Sequence, residues 1–247
     1  MTARDGLFLP YDILWEIISS VWNSSLTAAE RVQLMTTSLL VSRTWLEICL
    51  RVMAKDTHIP SSSYLKRYTQ IIRQAHPLCP SVSFNDLTHS LTVVVHSSIP
   101  GKRNLLAEVL YEINLIGALP YIRSLAVRYE KIPLDDLFDC FQFIDFPRQV
   151  KELDVLYVPQ NPKLATRITP GLGPMVDLYP SWYLPSLKRL SIRNCNPQLL
   201  AAFLAACADL EVLEIDLDEE QCQQVHGLNT LTTLNYHGSF YDPLAER

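Results

Sequence analysis

Apolar residues first recur with a fixed period at Ile13, Leu14, Ile17, Ile18, Val21 and Trp22, a spacing that makes one broad stripe along a single helix. Pro10 and Asp12 suit its first turn: proline has no donor to orphan there, and a carboxylate faces the positive end of the helix dipole. Asn23-Ser24-Ser25 ends the helix. Thr27 with Glu30 forms a capping box, which predicts a second helix with Leu34, Met35, Ser38 and Leu39 on its inner side. A third helix is expected from Ser42, with Trp45, Leu46, Cys49 and Val52 inward. These helices make a unit over residues 5–57 that is too small to bury all its large side chains, so some are expected to face outward. Ile59-Pro60 then reads as a linker, and the three serines after it offer N-caps for a helix from Tyr64 to Ala75 within a linker segment 58–80.

From residue 81 to about residue 240 the period changes. An aliphatic residue, two variable ones, a second aliphatic, one variable and a third apolar residue recur as Ile122/Leu125/Val127, Val150/Leu153/Val155, Leu187/Leu190/Ile192, Leu210/Leu213/Ile215 and Leu231/Leu234/Tyr236. Thr88/Leu91/Val93 is a weaker copy. Helix-like stretches lie between the copies, including NLLAEVLYEINLIGAL, LDDLFDCFQFI, NPQLLAAFLAACADL and DEEQCQQV. A short strand plus a helix cannot bury its apolar face alone and must stack on its neighbours, so the pattern predicts an α/β solenoid; the competing reading is an ordinary α/β domain. The interval 159–185 carries six prolines and reads as a long insertion without regular structure.

Composition narrows the function. Hydrophobic residues make up 48% and charged residues 19%, so a packed core is expected. A net charge of -5 argues against a nucleic-acid binder. No apolar run is long enough to span a membrane, and Asp12 and Glu16 interrupt the N-terminal stripe, which argues against an export signal. The six cysteines contain no C-x-x-C pair and suit reduced thiols inside a cell.

Catalytic patterns are absent. Gly171-Leu172-Gly173 is followed by Pro174 and lacks the rest of a phosphate loop, so a turn is expected there. No two histidines stand three to five residues apart, and no nucleophile elbow occurs. No catalytic residue, cofactor or metal is assigned and no enzymatic activity is expected, with a hydrolase as the remote alternative. Strand alternation instead places Ala126, Arg128, Asp154, Leu156, Ser191, Arg193, Glu214, Asp216, Asn235 and His237 on the face opposite the core. That is a mixed-charge strip, with a basic step at 191–193 beside an acidic one at 214–216, suited to reading a protein partner.

The repeated copies resemble the leucine-rich repeat pattern, best in LKRLSIRNC, where Cys195 stands at the Asn/Cys position. At the N-terminus, LPYDILWEI followed by LLVSRTWLEI resembles the two halves of the F-box, through Leu9, Pro10, Asp12, Ile13, Leu14 and Ile17, then Leu40, Val41, Ser42, Arg43, Trp45 and Ile48. The helix and strand that follow look like those of F-box-like proteins from mushroom-forming fungi. The spacer from Asn23 to Glu30 is longer than in many F-boxes. The resemblance implies an N-terminal three-helix F-box unit followed by an irregular leucine-rich-repeat-like solenoid. It also implies a substrate receptor of a Skp–cullin–F-box ubiquitin ligase, in the cytoplasm or nucleus. Leu9, Pro10, Ile13, Leu14, Ile17, Leu40, Val41 and Trp45 would meet the Skp-family adaptor, and the strip on the repeats would hold a protein substrate. A repeat scaffold without ligase coupling is the alternative.

Overall fold

The computed structural model describes residues 9–38, 40–74, 82–96, 105–116, 119–130, 146–158, 184–193, 197–216 and 233–236. Three helices come first: α1 (Tyr11–Trp22), α2 (Ala28–Ser38) and α3 (Arg43–Lys55). Both of the chemical signals that predicted α2 and α3 are in place. The Thr27 amide donates to Glu30 Oε2 at 2.7 Å while the Glu30 amide donates to Thr27 Oγ1 at 3.3 Å. Ser42 caps α3, its hydroxyl accepting from the Trp45 amide at 3.1 Å. Each cap satisfies amide donors that the first helical turn leaves open.

After α3 the chain alternates strands with helices. It runs β1 (Asp56–Ile59), α4 (Ser62–Gln74), α5 (Phe84–Leu87), β2 (Ser90–Val95), α6 (Leu105–Ile116), β3 (Ser124–Glu130), β4 (Glu152–Val158), β5 (Arg189–Arg193), α7 (Pro197–Ala206), β6 (Val212–Ile215) and β7 (Thr233–Tyr236). The strands form one parallel sheet in which each pairs with the strand before it in sequence. The fold is therefore mixed α/β on a parallel sheet.

The aliphatic pattern states which face goes inward. Leu91, Val93, Leu125, Val127, Leu153, Val155, Leu190, Ile192, Leu213 and Ile215 are all buried, in one core with Leu65 and Tyr68 of α4, Leu106, Val109, Leu110 and Ile113 of α6, and Leu200 and Phe203 of α7. Each such side chain contributes about 1.5–3 kcal/mol by leaving water. The leading residues Ile122, Val150, Leu187 and Leu210 are buried too. Three of them are turned inward by β-turns, in which the Ile122, Val150 and Leu187 amides donate to the carbonyls of Leu119, Pro147 and Leu184 at 3.1, 3.1 and 3.2 Å. Leu119 adopts φ 60°, a conformation costing roughly 1–2 kcal/mol for a residue with a Cβ. Burial of its side chain and a 2.6 Å bond from its amide to Asn85 Oδ1 hold it there. Thr88 stands where other copies have an aliphatic residue; it is fully buried because its hydroxyl donates to the Phe84 carbonyl at 2.7 Å and meets Tyr68 Oη at 2.9 Å.

Two expectations are corrected. The boundary drawn between 57 and 58 cuts through β1, so the sheet begins at Asp56 and Ile59 is a buried strand residue, not linker. The helical unit is also not separate from the sheet. Leu46, Leu50 and Ala54 of α3 belong to the sheet's core, while Ile48, Cys49, Val52 and Met53 of the same helix pack with Ile18 and Trp22 in a second cluster. One helix thus serves two cores. The helices expected at 134–144 and 218–225 lie outside the described residues, as does the insertion from 159 to 183; Leu184 at its far end is buried.

Candidate functional site

Among the described residues, the largest concentration of apolar surface in water lies on the first two helices and the turn before α3. Leu9, Tyr11, Ile13, Ile17, Val21, Val32, Leu40 and Val41 are all exposed, Leu40 at 85% and Val41 at 60%. The cause is the width of the α1 stripe. Ile18 and Trp22 turn into the second cluster with Leu14 and Trp15 against them, which consumes the side facing α3. Ile13, Ile17 and Val21, four residues apart, are left on the other side.

The unit carrying this surface is anchored through Trp22. Its indole N–H donates to the Asp56 carbonyl at 2.9 Å, and its ring meets the His58 imidazole edge-on at 5.5 Å. The Arg31 guanidinium lies 4.9 Å from the Trp22 ring centre, a cation–π contact made out of water. Arg31 also donates to the carbonyls of Trp22 at 2.5 Å and Ser24 at 3.1 Å, closing the C-terminal end of α1. Burial, and then the charge of Arg128, pull the Arg31 pKa below its ordinary value. Burial, with Arg31 and Arg128 adding to it, pushes His58 down to about 3. His58 is therefore a neutral ring at physiological pH, as its place against an aromatic and beside two cations requires.

Of the residues expected to meet an adaptor, Leu9, Pro10, Ile13, Ile17, Leu40 and Val41 are exposed. Leu14 and Trp45 are half-buried and pack against the second cluster, so they shape the surface from beneath. Trp45 Nε1 is closed off with no acceptor. Tyr11, Val21 and Val32 belong to the surface too, outside the positions that resemble the F-box. Val21 was legible as the next turn after Ile17, whereas Val32 lies on a helix whose sequence is mostly polar.

On the sheet, Arg128, Asp154, Leu156, Ser191, Arg193 and Glu214 occupy the face opposite the buried positions, and Asp216 follows β6 half-buried. Asn235 stands at the register position beside Glu214, and His237 lies outside the described residues. The register does set 191–193 beside 214–216, with Ser191 opposite Glu214, but the ion pairs run diagonally. Arg193 Nη2 reaches back to Asp154 on β4, 3.2 and 2.9 Å from its two oxygens, and Arg189 Nη2 meets Glu214 Oε1 on β6 at 2.5 Å. Each is a diagonal cross-strand pair, which spends the strip's charge internally.

Chemistry finds little purchase elsewhere. Among the described residues no three histidine, cysteine or acidic side chains gather as a metal site would need. Cys49 and Cys207 are buried, and burial pushes the Cys207 thiol up to about 12, so it stays protonated at neutral pH. A narrow, mostly apolar cavity is lined by Ile59, Leu65, Tyr68, Thr69, Ile72, Leu91, Val109, Glu112, Ile113 and Leu119; the one carboxylate among them, Glu112, is paired with Arg73 at 3.3 Å. No helix among the described residues is long and apolar enough to cross a membrane. No family model, no curated protein and no solved structure matches this chain.

Proposed function

We propose that this chain is the substrate-recognition subunit of a Skp–cullin–F-box type ubiquitin ligase, an F-box unit joined to an irregular leucine-rich-repeat array. The observation that carries the reading is the exposed apolar face of Leu9, Ile13, Ile17, Leu40 and Val41, at the positions through which the sequence resembles the F-box. A surface of that kind is retained for a partner, since it adds nothing to the protein's own core. The array reading is supported by seven parallel strands that pair in sequence order, of which β2 to β7 follow the same recurring spacing. Such a receptor performs no bond chemistry; it raises the effective concentration of a substrate lysine near the charged enzyme.

The test is capture of a purified Skp-family adaptor by the full chain. Ile13→Asp with Leu40→Asp is expected to abolish capture while the melting temperature stays within a few degrees of wild type, because both side chains are already in water. Wild-type protein that does not hold the adaptor at roughly micromolar concentration overturns the reading and leaves a repeat scaffold without ligase coupling.

A further inference from the structure

We propose that the rim where the strands begin is a docking edge for an acidic polypeptide segment, separate from the apolar face of α1 and independent of the ligase reading. The residues that immediately precede β1, β2, β3, β4 and β5 are, in turn, Lys55, His89, Arg123, Lys151 and Lys188. A chain of backbone bonds aligns them. The His89 amide donates to the Lys55 carbonyl at 3.0 Å, Arg123 to His89 at 2.8 Å, Lys151 to Arg123 at 2.8 Å and Lys188 to Lys151 at 2.8 Å. The carbonyls of His89, Arg123 and Lys151 each take the following amide as well, at 2.9 to 3.2 Å, so the row cannot slip without breaking paired bonds. At a strand spacing of about 4.8 Å, the five positions cover about 19 Å.

The row is a charge arrangement that the sheet does not need. Like charges side by side on neighbouring strands destabilise a sheet, and the chain has 26 acids against 21 lysines and arginines from which to interleave. Yet the row meets its first acid only at the sixth position, where Glu211 Oε1 sits 2.9 Å from Lys188 Nζ. That pair shows the reach at which a carboxylate satisfies a cation of this rim. Lys55, His89, Arg123 and Lys151 are exposed, and none of them has an ion-pair partner among the described residues. Lys151 Nζ reaches only the Arg148 carbonyl, at 3.5 Å.

Two neighbouring carboxylates choose between classes of polyanion. Asp56 and Glu152 follow Lys55 and Lys151 directly in the chain. A phosphodiester backbone carries a charge at every step and cannot avoid both, whereas a peptide can set a neutral or basic side chain opposite each. An extended segment of about six residues spans the row.

The experiment is fluorescence anisotropy of a labelled peptide in which glutamates alternate with serines, titrated with the full chain at low salt. Saturable binding that weakens as salt rises is expected, and Arg123→Glu with Lys151→Glu should weaken it by about tenfold or more. Lys66→Glu with Arg67→Glu, exposed on α4, should leave it unchanged. The proposal is overturned by no binding up to about 1 mM protein, by equal loss in the α4 variant, or by tighter binding of single-stranded oligothymidylate or anionic vesicles than of the peptide.

Discussion

The first helices and the parallel sheet treat apolar residues in opposite ways. Of the eleven large apolar side chains exposed among the described residues, eight lie between Leu9 and Val41. Along β3, β4, β5 and β6, every second residue is buried and its neighbours stay at least partly in water. The difference is geometric. A strand has two faces, and the aliphatic row on one of them is buried in the core to which α4, α6 and α7 contribute. A helix with a stripe as wide as that of α1 offers more apolar surface than α3 and the inner side of α2 cover, and the excess stays in water. Where covering is complete the residue serves stability; where it is incomplete the residue is available to something else.

Substitutions put this contrast to a graded test. Trp22→Ala should cost the most, about 3–5 kcal/mol, because it removes a buried ring together with its bond to Asp56 and leaves Arg31 without its aromatic partner. Chemical denaturation gives the total, and amide exchange should show α1 and α2 losing protection before β3 does. Leu125→Ala in β3 should cost about 2–5 kcal/mol by urea melting, against less than about 0.5 kcal/mol for Ile17→Ala. Similar costs at the two positions would mean that Ile17 is covered in solution and that the contrast is false.

Acid probes the junction between the two regions. His58 has a pKa near 3 in the folded chain against an ordinary value of 6.5, so only the unfolded chain takes up its proton between those limits. Its contribution is therefore full above pH 6.5 and is lost as pH falls from 6.5 toward 3, with a limiting slope of about 1.4 kcal/mol per pH unit that the ring's partial exposure reduces. In stability measured across that range, His58→Gln should show a shallower decline than wild type.

The smallest effect should come from the sheet's outward face. The Arg193–Asp154 pair is about two-fifths exposed on each side, so a double-mutant cycle to alanine should return an interaction of less than about 1 kcal/mol that shrinks with salt. A much larger value would mean that the unpartnered, buried Nε of Arg193 ties it into more than this pair.

Several local features could be read from the residues before any tertiary contact was known. The Thr27–Glu30 box and the Ser42 cap need only hydrogen-bonding groups three residues apart, and the aliphatic copies from Thr88 to Ile215 already state which strand face turns inward. β1 was hidden because Lys55 runs into it without a turn, and Asp56 and His58 break the aliphatic spacing. Only pairing with β2 makes it a strand. The ion pairs were hidden for a related reason. Alternation says which residues share a face, but the partner of Arg193 depends on which strand its side chain leans toward, and that is Asp154 on β4.

Sequence alone therefore determined the periods, the caps, the identity of the core positions and the excess of apolar residues at the N-terminus, since each follows from interactions within a few residues. Tertiary structure decided that α3 belongs to two cores, that Leu14 and Trp45 support the exposed face from below, and that five basic residues far apart in the chain stand side by side on one rim. Those outcomes depend on parallel pairing in chain order, which brings equivalent positions of successive strands to within one strand spacing and which no local spacing states.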